Sequence, residues 1–145
     1  MLAKRVLVVE DDALISMAVE AEIAGCDHAV VGPFGSGADA LASLGFVEPP
    51  DAAVIDLRLR DGSCLDCARA PPVRCSLLVY TGCLAPVELP ADLRAAPWIE
   101  KPALTGWLAA AVNALLRAHV IAADRFGGRK QPPHAARRPG LKPYR

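Results

Sequence analysis

Residues 52–63, AAVIDLRLRDGS, join a short apolar run to a charged turn that contains a glycine. The run has the length of a buried strand, and Asp56 closes it with a carboxylate. Burying a charge is unfavourable unless a partner or a ligand compensates it. The stretch therefore predicts a buried strand that carries a functional aspartate at its carboxyl end.

Apolar runs of this kind alternate with helical patterns along most of the chain. The predicted strands are 4–10, 28–32, 51–56, 75–81 and 97–100. The predicted helices are 12–24, 36–44, 62–70, 84–96 and 104–124. Pro86 and Pro90 interrupt the fourth helix, because proline fits poorly inside a helix. This alternation predicts an α/β fold with a parallel, doubly wound sheet that helices cover on both faces.

The charges of the chain are unevenly distributed, although its formal net charge is zero. Residues 1–124 contain 9 basic and 16 acidic residues, whereas residues 125–145 contain 7 basic residues and no acidic one. The first segment is predicted to be the folded domain. The second, rich in Gly, Pro and Arg, is predicted to be a disordered tail. Because aromatic residues are not interleaved with its basic residues, we do not expect the tail to bind DNA.

The sequence predicts neither a signal peptide nor a membrane span, because the N-terminal apolar run covers only residues 6–9. We therefore expect a cytoplasmic protein without a membrane partner. Five cysteines, an odd number, fit a reducing compartment better than a disulfide framework. Cys64 and Cys67 form a CxxC motif, but no second pair completes a zinc site, so core packing is favoured over metal or redox chemistry.

Polar side chains close four of the predicted strands. Glu10 and Asp11 follow the first, Asp56 the third, Thr81 the fourth and Lys101 the fifth. Because the carboxyl ends of parallel strands meet at one edge of a sheet, these side chains are expected to lie together. Carboxylates without clustered histidine or cysteine favour Mg²⁺ over zinc. A hydroxyl and an ammonium beside them would donate hydrogen bonds to a phosphoryl group carried by Asp56.

A purely structural interpretation of these residues is also open. Asp11 and Asp12 would be N-caps of the first helix, Asp56 would cap a strand end, and Lys101 would form a surface ion pair. Each of these roles is the commoner one for a single residue. Because all of these residues fall at strand ends of one alternating pattern, a functional site is favoured.

Four segments together resemble the receiver domain of two-component response regulators. They are VLVVEDDALI (6–15), VIDLRLRDG (54–62), LLVYTG (77–82) and WIEKP (98–102). The resemblance extends from residue 4 to about residue 122. It implies a flavodoxin-like fold with five parallel strands in the order 2-1-3-4-5.

The resemblance also implies roles for the residues around the phosphorylation site. Asp56 would be the phosphoacceptor. Asp56 would also be a ligand of Mg²⁺, Asp11 would ligate the ion directly, Glu10 would do so through water, and the backbone carbonyl of Arg58 would be a further ligand. The implied cofactor is therefore Mg²⁺.

A second group of residues would bind the phosphoryl group or change conformation when Asp56 is phosphorylated. Thr81 would be the switch hydroxyl, Lys101 the phosphate-binding lysine and Trp98 the switch aromatic residue. On phosphorylation Thr81 would move to the phosphoryl group and Trp98 would turn inward. Arg60 stands where the family usually has a proline, and the indole of Trp98 is bulkier than the usual Tyr or Phe.

These roles lead to the hypothesis of a single-domain response regulator. A histidine kinase or a histidine phosphotransfer protein would phosphorylate Asp56, and the signal would pass by contact to an unidentified downstream protein, with a homodimer left open. Such a chain is a signalling module and not an enzyme for a metabolite; a phosphatase with an aspartate nucleophile would need an acid where Arg58 stands. The alternative is a phosphorylation-independent interaction module with the same fold, which would bind a partner through Trp98 and Trp107.

Overall fold

The structure, a computed structural model, describes residues 2–63, 65–69, 75–82, 96–126 and 142–143. The strands are β1 (Arg5–Val9), β2 (Ala29–Phe34), β3 (Ala52–Ile55), β4 (Arg58–Leu59), β5 (Gly62–Ser63), β6 (Ser76–Thr81), β7 (Pro97–Glu100) and β8 (Lys142–Pro143). The helices are α1 (Ala13–Ala24), α2 (Gly37–Ser43), α3 (Leu65–Arg69) and α4 (Trp107–Phe126). Most of the interrupted helix predicted over 84–96 lies outside the described residues, as does Cys64.

Five parallel strands form the main sheet in the order β2-β1-β3-β6-β7. Numbered among themselves they follow the order 2-1-3-4-5, so the expected fold is confirmed. Val8 is in register with Val54, and Val54 with Leu78, so that the three central strands end at nearly the same level. β8 pairs antiparallel with β7 at the edge of the sheet, and β4 and β5 form a separate hairpin.

The sheet divides the apolar core into two layers, because successive strand residues point to opposite faces. Val6 and Val8 belong to the layer under α1 and α4, whereas Leu7 and Val9 belong to the layer under α2 and α3. Helices therefore cover both faces of the sheet. The burial of both faces explains why the central strands β1, β3 and β6 are continuous apolar runs and do not alternate with polar residues.

β2 runs beyond its predicted end at Gly32 and passes through Pro33. Proline is tolerated there because β2 lies at the edge of the sheet. The register with β1 shifts at this point, and Gly32 has a φ of 101°. The bulge places the carbonyl of Phe34 where it accepts a hydrogen bond from the amide of Glu10 at 2.9 Å. An irregularity of the edge strand thus helps to fix the first acidic residue of the site.

The third helix begins later than the sequence predicts. Gly62 and Ser63 form β5, which pairs with β4 across a two-residue turn, and α3 starts at Leu65. Gly62 has a φ of 121°, which favours glycine. The prediction of a helix from residue 62 is wrong because these residues complete a hairpin.

The C-terminal region also differs from expectation. α4 begins at Trp107 and not at residue 104, and it continues to Phe126. Within the predicted disordered tail, Lys142 and Pro143 form β8, since the edge of β7 offers unpaired backbone groups. Residues 127–141 and 144–145 lie outside the described residues, and the domain boundary at 124 stays a prediction. In the described ranges, no helix combines the length and apolar character needed to cross a membrane.

Polar contacts join α4 to α1 and to the beginning of β2. The carboxylate of Glu22 on α1 accepts hydrogen bonds from the amides of Gly106 and Ala109, both at 3.1 Å, at the start of α4. The buried His28 lies just before β2, and its Nε2 is 2.8 Å from Oδ1 of Asn113 on α4. These contacts link the two helices that cover the same face of the sheet.

Candidate functional site

The functional candidates converge at the carboxyl edge of the sheet. Two backbone hydrogen bonds continue the strand pairing into this region. The amide of Asp56 donates to the carbonyl of Val9 at 3.0 Å, and the amide of Lys101 donates to the carbonyl of Thr81 at 3.0 Å. The parallel register therefore brings together residues that are distant in the sequence, as the strand ends predicted.

Three carboxylates form a compact acidic cluster. Oxygen atoms of Glu10, Asp11 and Asp56 all lie within 4.8 Å of one another. Glu10 and Asp56 are buried, and Asp11 is half-buried. Carboxylates this close repel one another unless a cation lies among them. An oxygen-only set that is partly open to solvent fits a hard divalent ion such as Mg²⁺, which retains several of its waters.

Lys101 supplies a positive charge inside this cluster. Its Nζ donates a hydrogen bond to Oδ2 of Asp56 at 2.7 Å and another to Oε2 of Glu10. The ammonium also lies 5.4 Å from the ring centroid of Tyr80. The Lys101 side chain, which is 11% exposed, therefore acts as an internal counter-ion for two buried acids.

Burial and charge act in opposite directions on these groups. Burial raises the pKa of Glu10, and the hydrogen bond from Lys101 only partly offsets this. Burial alone would lower the pKa of Lys101, but its hydrogen bonds to Asp56 and Glu10 outweigh burial and raise it. Lys101 is therefore protonated at neutral pH, and the raised pKa of Glu10 means that burial makes ionisation of this carboxyl group less favourable.

Backbone amides hold the individual carboxylates in place. Oδ1 of Asp56 accepts from the amide of Arg58 at 3.0 Å, and Oε1 of Glu10 accepts from the amide of Asp12 at 3.0 Å. Oδ1 of Asp12 accepts from the amides of Leu14 and Ile15, so this residue is the N-cap of α1. The structural interpretation thus holds for Asp12. The backbone carbonyl of Arg58 as a metal ligand stays a prediction.

Asp11 differs from the other two acids because Arg60 is its partner. The amide of Arg60 donates to Oδ2 of Asp11 at 2.7 Å, and Nε of Arg60 lies 3.7 Å from the same oxygen. Sequence reasoning identified Arg60 as a departure from the family pattern but did not connect it to Asp11. The two residues are 49 positions apart, and only the hairpin β4–β5 brings them together.

The two switch candidates lie on adjacent strands. Thr81 is buried at the end of β6, beside the site, and Trp98 is half-buried on β7, in register with Val79. Trp98 and Trp107 contribute to the lining of a surface groove of about 310 Å³ that follows the chain from β7 to the start of α4. The switch roles of Thr81 and Trp98 stay predictions.

No family model and no curated protein matches the chain. Among solved structures, SdrG from Sphingomonas melonis Fr1 is similar, with 31% identity and a TM-score of 0.65 over 79% of this chain and 97% of that one. A CheY-like response regulator receiver domain from Methylobacillus flagellatus is 24% identical, with a TM-score of 0.64 over 77% of this chain and 97% of that one. The PhyR response regulator REC domain of Erythrobacter litoralis is 22% identical, with a TM-score of 0.65 over 77% and 88%.

The sheet topology, the helices on both faces and these similarities define a signalling module and not a metabolic enzyme. The chain belongs to the response regulator receiver domain family. The acidic cluster of Glu10, Asp11 and Asp56 fits the Mg²⁺ site of such a domain.

Proposed function

We propose that the chain accepts a phosphoryl group on Asp56 from a phosphorylated histidine of a kinase or phosphotransfer protein. The observation that carries the proposal is the position of the Asp56 carboxylate, which lies among two further acids and is bound by Lys101 at 2.7 Å. Phosphoryl transfer requires positioning and charge neutralisation more than covalent chemistry from the protein. This edge of the sheet offers both.

The transfer involves one bond that forms and one that breaks. A carboxylate oxygen of Asp56 attacks the phosphorus of the phosphohistidine, and the P–N bond breaks as the O–P bond forms. The histidine nitrogen leaves with the electron pair and takes up a proton from solvent. Lys101 then donates hydrogen bonds to the phosphoryl oxygens, and the Thr81 hydroxyl is the second proposed donor.

Glu10 and Asp11 are the residues that would hold the divalent ion beside Asp56. Bound there, Mg²⁺ would neutralise charge on the phosphoryl oxygens during transfer. The fit rests on the oxygen-only donor set and on the 4.8 Å limit within which the three carboxylates lie. Asp12 takes no part, because its carboxylate caps α1.

We also propose a docking surface for the phosphodonor on α1. This helix begins immediately after the acidic residues, so its first turns lie beside the site. Leu14 and Met17 are 79% and 64% exposed, and Ala18 and Ala21 continue the same face at helical spacing. An apolar ridge that adjoins the site suits the helices of a histidine-containing donor.

Acetyl phosphate labelling tests the phosphoacceptor directly. The protein is incubated with acetyl phosphate and MgCl₂, and the intact mass is measured. We expect one phosphoryl adduct that is absent from Asp56→Asn and present in Asp66→Asn, which removes an exposed acid from α3. An adduct that persists in Asp56→Asn, or no adduct on the wild type, contradicts the proposal.

A test of the docking surface on α1 requires a protein as the phosphodonor. Leu14→Glu and Met17→Glu should reduce transfer from a phosphorylated histidine phosphotransfer domain by about tenfold or more, since a charge is placed inside an apolar contact. Labelling by acetyl phosphate should be unaffected, because this small donor needs no docking. Ala42→Glu, at an exposed position of α2 on the opposite face of the sheet, is the charge-matched control. Equal losses with both donors would contradict a docking role.

A phosphorylation-independent interaction module is the second candidate function. The groove lined by Trp98 and Trp107, together with the exposed Leu104, favours it because aromatic residues are enriched at protein contacts. A partner captured equally by the wild type and Asp56→Asn would support this candidate. In both candidate functions the protein passes on its signal by contact with another protein.

A further inference from the structure

Arg60 occupies a fixed position at the rim of the acidic cluster. It lies in the two-residue turn of the hairpin β4–β5. Leu59, on one side, is buried in the layer under α2 and α3. Asp61, on the other side, accepts a hydrogen bond from the amide of Gly37 at 3.1 Å. Because both neighbours are anchored, the backbone of Arg60 is held beside the site.

The contacts of Arg60 are directed at a single carboxylate. Its amide and its Nε both face Oδ2 of Asp11, at 2.7 and 3.7 Å, while its side chain is 83% exposed. Lys101 is bonded to the other two members of the cluster, Glu10 and Asp56. Among the described residues, each acid of the cluster therefore has a protein cation, and the cation of Asp11 is Arg60.

We propose that Arg60 is a built-in counter-cation that competes with the divalent ion for Asp11 and so raises the Mg²⁺ concentration needed to fill the site. The inference rests on the proposed Mg²⁺ site and assigns to Arg60 a role in regulating it. With Lys101 alone, the three ionised carboxylates keep two negative charges. With Arg60 as well, only one remains to attract a divalent ion.

The energetic effect of Arg60 is moderate because its guanidinium is exposed. Exposed ion pairs are weak, but an arginine a few ångströms from a divalent ion also repels it. Removing the arginine charge should therefore tighten metal binding by about two- to tenfold. The difference should shrink as salt is raised, since exposed charges are screened over roughly 10 Å at 0.1 M salt. Arg60 is not a ligand of the ion; it acts on the site through its ion pair with Asp11 and through its charge.

Manganese binding measures this effect without phosphorylation. Free Mn²⁺ is followed by electron paramagnetic resonance as protein is added, and Mg²⁺ affinity is obtained by competition. We expect Arg60→Gln to bind both ions more tightly than the wild type and Arg60→Lys, which keeps the charge, to lie close to the wild type. Arg117→Gln, which removes one exposed arginine from α4, should bind like the wild type.

Several outcomes would overturn the inference. Equal affinities of Arg60→Gln and the wild type would do so, as would an equal shift in Arg117→Gln. If neither the wild type nor Arg60→Gln binds Mn²⁺ with saturation, the inference fails, and acetyl phosphate labelling of Asp56 still decides the proposed function separately. Tighter Mn²⁺ binding by Arg60→Gln that approaches the wild-type affinity as KCl is raised supports the inference.

Discussion

Replacing Lys101 with methionine should turn the acidic cluster into a source of instability. The substitution keeps the apolar stem but removes the ammonium bound to Asp56 and Glu10. Removing one partner of a buried ion pair costs about 3–5 kcal/mol, because the remaining charges are left uncompensated. Because Asp11 is only half-buried, solvent reaches one side of the cluster and partly compensates its charges. We therefore expect a loss of about 2–4 kcal/mol in the free energy of unfolding.

The same reasoning predicts a specific rescue by metal. A divalent ion replaces the missing charge, so MgCl₂ should stabilise Lys101→Met more than the wild type. Urea denaturation with and without MgCl₂ gives both free energies. Asp56→Asn in the Lys101→Met background should recover a large share of the loss, since it removes one of the repelling carboxylates. Lys4→Met is the matched control away from the cluster.

The pH dependence offers an independent measurement on the same lysine. Its hydrogen bonds to Asp56 and Glu10 raise the pKa of Lys101 in the folded protein. The stabilisation is therefore complete below the unfolded pKa of about 10.4 and is lost as the pH rises through the higher folded value. Lys101→Met should lack this alkaline loss. A substitution that costs less than about 0.5 kcal/mol, with equal Mg²⁺ effects in both proteins, would refute the counter-ion role.

Three further predictions concern other parts of the fold. Glu22→Gln should cost about 1 kcal/mol in urea denaturation, because it weakens the charged cap of α4. Gly32→Ala should lower the free energy of unfolding by about 1–3 kcal/mol in the same measurement, because its φ is 101° and a Cβ there would lie 2.8 Å from the amide nitrogen of Phe34. An unchanged free energy of unfolding would contradict the bulge at this position. Partial burial, with a smaller contribution from Asp51, raises the pKa of the Cys75 thiol to about 12. Iodoacetamide at pH 8 should therefore alkylate Cys75 far more slowly than an ordinary thiol, as measured by peptide mass mapping, and rapid alkylation would contradict the raised pKa.

The sequence was sufficient to predict the sheet because its three central strands, β1, β3 and β6, are apolar runs buried on both faces. It also placed Glu10, Asp56 and Lys101 at strand ends, and parallel pairing then required them to meet. The hydrophobic periodicity locates the strands, and the positions of these residues at the strand ends can be seen in a single sequence. The strand order came from the resemblance and not from the pattern itself.

The remaining features depend on tertiary geometry. The contact of Arg60 with Asp11 exists because residues 58–63 form a hairpin, whereas the pattern assigned residues 62 and 63 to a helix. β2 continues through Pro33 because it is an edge strand, and the local sequence does not reveal which strand lies at the edge. Glu22 caps a helix 84 residues away, so the usual search for a cap next to the helix could not find it.

The two faces of the sheet differ in how firmly their helices are attached. α1 and α4 are joined by the carboxylate of Glu22 and by contacts around His28 and Asn113. α2 and α3, described over 7 and 5 residues, are joined by a hydrogen bond from the thiol of Cys67 to the carbonyl of Gly37, and a thiol is a weak donor. Hydrogen exchange in the native state should therefore be faster for α2 and α3 than for the opposite face. Leu57, next to Asp56, packs in the less firmly held layer, while Lys101 leads into α4. Phosphorylation of Asp56 would change what Lys101 binds. It would then alter how often the half of the domain that contains α2 and α3 opens.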